Sequence, residues 1–203
     1  MNYIDKMMHM LEEGYTFEEI TENLYLNYSA AIDVDEVYRI RKRISEKYGC
    51  NLNDVKLIGS SHTGYTYKEG RLQVRDDPKD YDFGIISSEV FTKYFHKVNL
   101  NDMSNKKKNS YMVNIMNGKL HPLYAGKGFL DELEAINSDI QNELSVKRHI
   151  TVCFYLSEYD FINGLVGYSK KLYAVKLKEM EENKSFIETE VKTVIGELEK
   201  LED

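Results

Sequence analysis

The chain has no tryptophan, two prolines and two cysteines in 203 residues. None of its apolar runs approaches the ~18 residues that a membrane-spanning helix needs. Cys50 and Cys153 have no Cys or His at zinc-ligand spacing, which argues against a disulfide framework or a structural zinc site and suits a reducing compartment. Asp5, Lys6, Glu12 and Glu13 interrupt the first apolar stretch, so no secretory leader is read there, and the expectation is a cytoplasmic protein that does not enter a membrane. A basic excess is also missing. With a formal net charge of −7 there is no global footprint for nucleic acid, and any such partner must be met locally.

What is present is an ordinary globular composition, 42% hydrophobic and 30% charged, long enough for one substantial core. Met7, Met8 and Leu11, then Phe17, Ile20 and Leu24, recur at helical spacing on either side of Gly14, with Thr16 and Glu19 forming a capping box. Asp33 caps a third helix that Gly49 ends. The acidic run Glu18, Glu19, Glu22 argues against a DNA-facing helix-turn-helix. These helices make up a region over 1–50.

From residue 51 to 158 the pattern changes. Val55 to Ile58 is a short apolar strand running into Gly59-Ser60-Ser61, and Tyr65 to Val74 alternates about a central Gly as a hairpin would. Tyr81 to Ile86 reads as the next strand, with Ser87 or Ser88 capping a helix. Lys106-Lys107-Lys108 reads as a solvated loop, as does 117–128 with Pro122 and its glycines. Ile150 to Leu156 is β-branched and aromatic, hence a strand. The extension over 159–203 reads as two amphipathic helices broken at Asn183, the second carrying Phe186, Ile187, Val191, Val194, Ile195 and Leu198.

The chemistry lies in two pieces. Asp80 and Asp82 sit at i and i+2 on a strand, so both carboxylates point to one face, where hard oxygen ligands share a divalent cation, while Tyr81 and Phe83 turn to the core. Upstream, Gly59, Ser60 and Ser61 offer backbone N–H groups and hydroxyls to phosphate oxygens, and His62 follows them. Arg71, Arg75 and Lys79 either neutralise phosphate charge or sit on solvated hairpin faces; His121 and the pair Arg148-His149 read as structural or exposed. The plainer alternative makes Asp77, Pro78, Lys79 and Asp80 a turn, with Asp82 an exposed edge residue.

Together, "LIGSSHTGY" and "DYDFGII" resemble the nucleotidyltransferase superfamily related to DNA polymerase β, over roughly Val55 to Ser88. The resemblance implies an α/β fold with a small mixed sheet. It also implies a nucleoside triphosphate held at Gly59 and Ser60, beside which Ser61 and His62 are positional candidates, and Mg²⁺ or Mn²⁺ on Asp80 and Asp82. The activity implied is transfer of a nucleoside monophosphate from an NTP to an acceptor: a nucleic acid end such as that of RNA, a protein or a small molecule. The third carboxylate of such proteins sits inside the later strand; here Ile150 to Leu156 holds no acid, and Glu158, just past its end, is the catalytic candidate. The alternative is a non-catalytic nucleotide binder of the same fold, paired with a protein partner as in toxin–antitoxin or phage-defence systems.

Overall fold

The computed structural model describes residues 1–31, 33–75 and 80–199, with side chains described as far as residue 184. Lys79 and the proposed turn at Asp77 and Pro78 lie outside the described residues, as do the side chains of Phe186 and the apolar positions that follow it.

The first three helices form where their caps place them: α1 (Tyr3–Glu12), α2 (Phe17–Asn27) and α3 (Val34–Tyr48). The Thr16–Glu19 capping box closes in both directions, and Asp33 accepts from the Glu36 backbone N–H. Gly49 ends α3 at φ 75°, a left-handed conformation that glycine adopts without strain.

Next come β1 (Val55–Ile58), a single helical turn α4 (Gly59–Thr63), the hairpin β2 (Tyr65–Lys68) and β3 (Arg71–Val74), and β4 (Asp80–Ile86). Glu69 and Gly70 take positive φ at the hairpin tip, the geometry a two-residue loop needs to match strand twist. The chain continues through α5 (Ser88–Phe95), capped by Ser87, then α6 (Asn105–Met116), β5 (Lys119–Leu120), α7 (Lys127–Leu144), β6 (His149–Tyr155) and α8 (Glu158–Glu199).

The fold is mixed α/β, built on a four-stranded mixed sheet in the order β1-β4-β6-β5, with β4 and β6 parallel and the outer pairs antiparallel. One face carries Tyr81, Phe83, Ile85, Ile150, Val152 and Phe154, which pack with α3, α5 and α7 into the main core. Full burial of each of these side chains contributes roughly 1.5–3 kcal/mol. On the other face α2 and α8 pack where Tyr25, Cys153, Tyr155, Phe161 and Leu165 meet. A third cluster binds α1 and α2 to α8 through Tyr3, Met7, Leu24 and Leu172. Beside it the fully buried Ser169 hydroxyl bonds to the hydroxyls of both Tyr3 and Thr21.

Three sequence expectations are corrected. Lys106 to Lys108 belong to the first turn of α6, which Ser104 caps. The stretch 117–128 contains β5 and the start of α7, and α7 itself follows a stripe, Phe129, Leu133, Ile140, that the sequence reading passed over. The two C-terminal helices are one helix of 42 residues, because Asn183 is neither Gly nor Pro and does not interrupt the backbone ladder. Among the described residues no helix is long and apolar enough to cross a membrane.

Candidate functional site

The pairing of β4 sets the site. Its register opposes Ile58 to Asp82 on one side, and His149 to Asp80 and Thr151 to Asp82 on the other. Period-two alternation therefore brings Asp80, Asp82, His149 and Thr151 to one face of the sheet, beside the end of β1. Lys119, opposite Tyr155, joins the same face from β5, its ammonium 5.5 Å from the centre of the Tyr155 ring.

Asp82 is the most constrained of these groups. The Thr151 hydroxyl donates to its Oδ1. Its Oδ2 lies against Gly59: a Cβ added there would sit 2.8 Å from that oxygen, and Gly59 has φ +67°, so space and backbone conformation both favour glycine at position 59. Burial raises the Asp82 pKa; the Thr151 bond opposes the shift, Asp80 adds to it, and His149 and Lys119 oppose it. A buried carboxylate with an acidic neighbour is under-compensated, and a cation beside it would relieve that cost. The two aspartates thus fit one divalent ion.

A cavity of about 440 Å³ opens on this pair, lined by Gly59, Ser60, Arg75, Asp80, Asp82 and Lys119, and roofed by Leu165 and Tyr168 of α8. Tyr168 is fixed there by donating to the Tyr65 carbonyl at 2.9 Å. A second cavity, of about 320 Å³, shares Gly59, Asp82 and Lys119 and runs past Thr151 and His149 to the apolar wall of Leu130 and Leu133. It exists because β5 pairs with β6 only at Leu120 and Lys119. Pro122, which has no N–H, cannot extend the ladder, so the edge of β6 beside Ile150 and Val152 stays open.

The expected phosphate-binding residues divide. Gly59 and Ser60 line the first cavity. Ser61 and His62 do not, because Gly59–Thr63 closes a helical turn that rotates them to the back. Ser61 is buried and donates to the Asp80 carbonyl, so it holds the start of β4. His62 is 3% exposed, stacked on Tyr25 at 4.1 Å and edged by Tyr3 and Tyr28. Burial pushes its pKa down to about 4.

A pH prediction follows from His62. Its folded pKa lies below the unfolded 6.5, so the unfolded chain binds more protons between those values and stability falls as pH drops from about 6.5 to 4. The full shift corresponds to about 3 kcal/mol. His121, also lowered to about 4 by burial and by Lys119, titrates in the same window. Urea titrations across this range are expected to show a shallower acid limb in His62→Phe, which keeps the ring stack; an unchanged slope would exclude His62 as its source.

Glu158 is not brought to the aspartates. It is exposed at the start of α8, past Tyr155, whereas Asp82 lies level with Thr151, four strand positions or ~13 Å back along β6. The residue facing Asp82 where the resemblance implies an acid is Thr151. Arg75 lines the cavity, while Arg71 is exposed at the far end of the hairpin. Arg148 bonds to Glu36 and to the Tyr81 hydroxyl, a structural role. The sequence reading missed Thr151, Lys119 and Tyr168, and only Thr151 left a trace, as the polar residue at the exposed parity of a strand. Among the described residues no group of three His, Cys, Asp or Glu side chains is placed to hold a metal ion.

No family model, curated protein or solved structure matches this chain.

Proposed function

We propose that the protein binds a nucleoside triphosphate with Mg²⁺ or Mn²⁺ in the cavity above Asp80 and Asp82, and transfers the nucleoside monophosphate to an acceptor hydroxyl. The observation that carries this reading is the close packing of Gly59 on the Asp82 carboxylate, which sets a phosphate-approachable backbone turn directly beside a same-face acid pair. The ion, when bound, neutralises phosphate charge and polarises the reacting phosphorus. Ser60 and the turn around it bind phosphate oxygens, Arg75 and Lys119 balance their charge, and Tyr168 closes the roof. His149, lining the cavity shared with Asp82, takes the acceptor proton.

Thr151 favours a second reading. A second ion activating the acceptor normally needs a carboxylate beyond the shared pair, and a hydroxyl supplies no charge in its place. On this reading the chain binds the nucleotide without transferring it. Incubation with α-phosphate-labelled NTPs, Mn²⁺ and total cell RNA and protein separates the two. The transferase is expected to label an acceptor, and Thr151→Asp to raise the rate by about tenfold or more by restoring a third acid. Calorimetric NTP binding with no label in wild type or Thr151→Asp would leave the binder; no binding at all would end both.

A further inference from the structure

The longest stretch without an acid in this acidic chain borders the proposed site. Between Asp102 and Asp131 there is no Asp or Glu, and there are five lysines, Lys106, Lys107, Lys108, Lys119 and Lys127. Three of them occupy the first turn of α6, where no acid accompanies them. A helix N-terminus carries the positive end of the peptide dipole, so cations there work against the helix. A local arrangement that opposes its own element marks a surface kept for something other than stability.

The lysines lead somewhere. An open groove of about 560 Å³ is lined by Asn109, Ser110 and Val113 of α6, by His121 and Tyr124, and by Lys119 at its inner end. Lys106 lies three and four positions before Asn109 and Ser110, on the same strip of the helix. Lys119 also lines both cavities that meet at Asp82. His121 and Tyr124 lie 5.2 Å apart, and Tyr124 is 36% exposed, an aromatic surface at the groove wall.

Taking the proposed function as its basis, we infer that the acceptor is the 3′ end of a single-stranded nucleic acid, laid along this groove. Lys106, Lys107 and Lys119 meet successive phosphates, a base stacks on Tyr124, and the terminal hydroxyl reaches Asp82 beside the bound nucleotide. Phosphate contacts fix the strand, and stacking tolerates any base, so binding is weakly selective for sequence. In the transfer step the 3′ oxygen bonds to the α-phosphorus as the α–β bridging bond breaks; pyrophosphate leaves and the hydroxyl proton goes to His149.

The test uses the full chain and a short fluorescently labelled single-stranded RNA, with matched single-stranded DNA and duplex as further arms. Anisotropy is expected to show salt-dependent binding of the single strands. Lys106→Ala/Lys107→Ala/Lys108→Ala should weaken it by about tenfold or more and reduce the log–log salt slope by about 1.4, two phosphate contacts at ~0.7 each. Tyr124→Ala should weaken it about tenfold with no change in slope. Mg²⁺-NTP binding by calorimetry should be unchanged in both, which separates this inference from the nucleotide site. A 3′-phosphorylated RNA should bind but accept no label. Single strands that fail to bind, or that bind wild type and triple variant alike, overturn the inference even where NTP binding holds, as does tighter binding of duplex. Strand binding with label that reaches only protein or small molecules overturns the acceptor assignment.

Discussion

Asp80→Asn/Asp82→Asn is expected to abolish Mg²⁺-dependent nucleotide binding while leaving the protein at least as stable as wild type. The two halves of this result have one cause. Asp82 is held where its charge is costly, as its upward pKa shift under burial records. A raised folded pKa means that the folded state gains stability as pH falls from that pKa toward the unfolded 3.8, and that at neutral pH the ionised group is a net cost. Asparagine removes that cost and still accepts the Thr151 hydroxyl bond. Without a cation to bridge them, triphosphate and carboxylates repel; with the carboxylates gone, the cation has no anchor. Affinity for Mg²⁺-ATP or Mg²⁺-GTP should fall by at least about 100-fold, close to 3 kcal/mol, by calorimetry. Thermal unfolding of wild type, but not of the variant, should shift upward with Mg²⁺-NTP. Equal nucleotide affinity in the two proteins would remove the metal-site assignment.

Gly59→Ala is expected to damage both the fold and the site. The left-handed φ costs an alanine about 1–2 kcal/mol, and its methyl group would press on Asp82 Oδ2. Relief requires either β1 or the carboxylate to move, and the register between Ile58 and Asp82 ties those two together. Stability should fall by about 1–3 kcal/mol, which lowers the melting temperature by roughly 2–10 °C. Nucleotide binding should be lost even at temperatures where the variant is fully folded by circular dichroism. A variant of wild-type stability that binds nucleotide would show that the turn is not pressed against the acid pair.

The parts of this site that a linear reading finds are those made by neighbours in sequence. The i, i+2 aspartates and the strand running into Gly59-Ser60 declare their geometry through period-two alternation and backbone freedom, whatever the rest of the chain does. Thr151 and Lys119 arrive by strand pairing over long separations; Thr151 reaches Asp82 across 69 positions, and no local pattern encodes that register. Ser61 and His62 were misjudged because a single helical turn, too short to show periodicity, decides which side chains face out. Helix α6 was hidden for a different reason. Only Tyr111 in it is buried, so it has almost no apolar stripe to read. The segment ahead of α7 is rich in Gly with one Pro, and that punctuation masked a regular stripe beginning at Phe129.

The buried hydroxyl trio of Tyr3, Thr21 and Ser169 makes the N-terminal helices part of the machinery above the acid pair. Ser169 follows Tyr168 directly, and Leu165 is one turn earlier; the residues that roof the cavity and the residue that anchors α1 and α2 are consecutive turns of the same rigid rod. Rotation of that rod about its axis would swing Tyr168 off the cavity above Asp80 and Asp82 and at the same time pull Ser169 from its two partners. Helices α1 and α2 therefore act as a torsion lock on the roof, and on the proposed function a chain lacking them would lose nucleotide affinity before it lost its sheet.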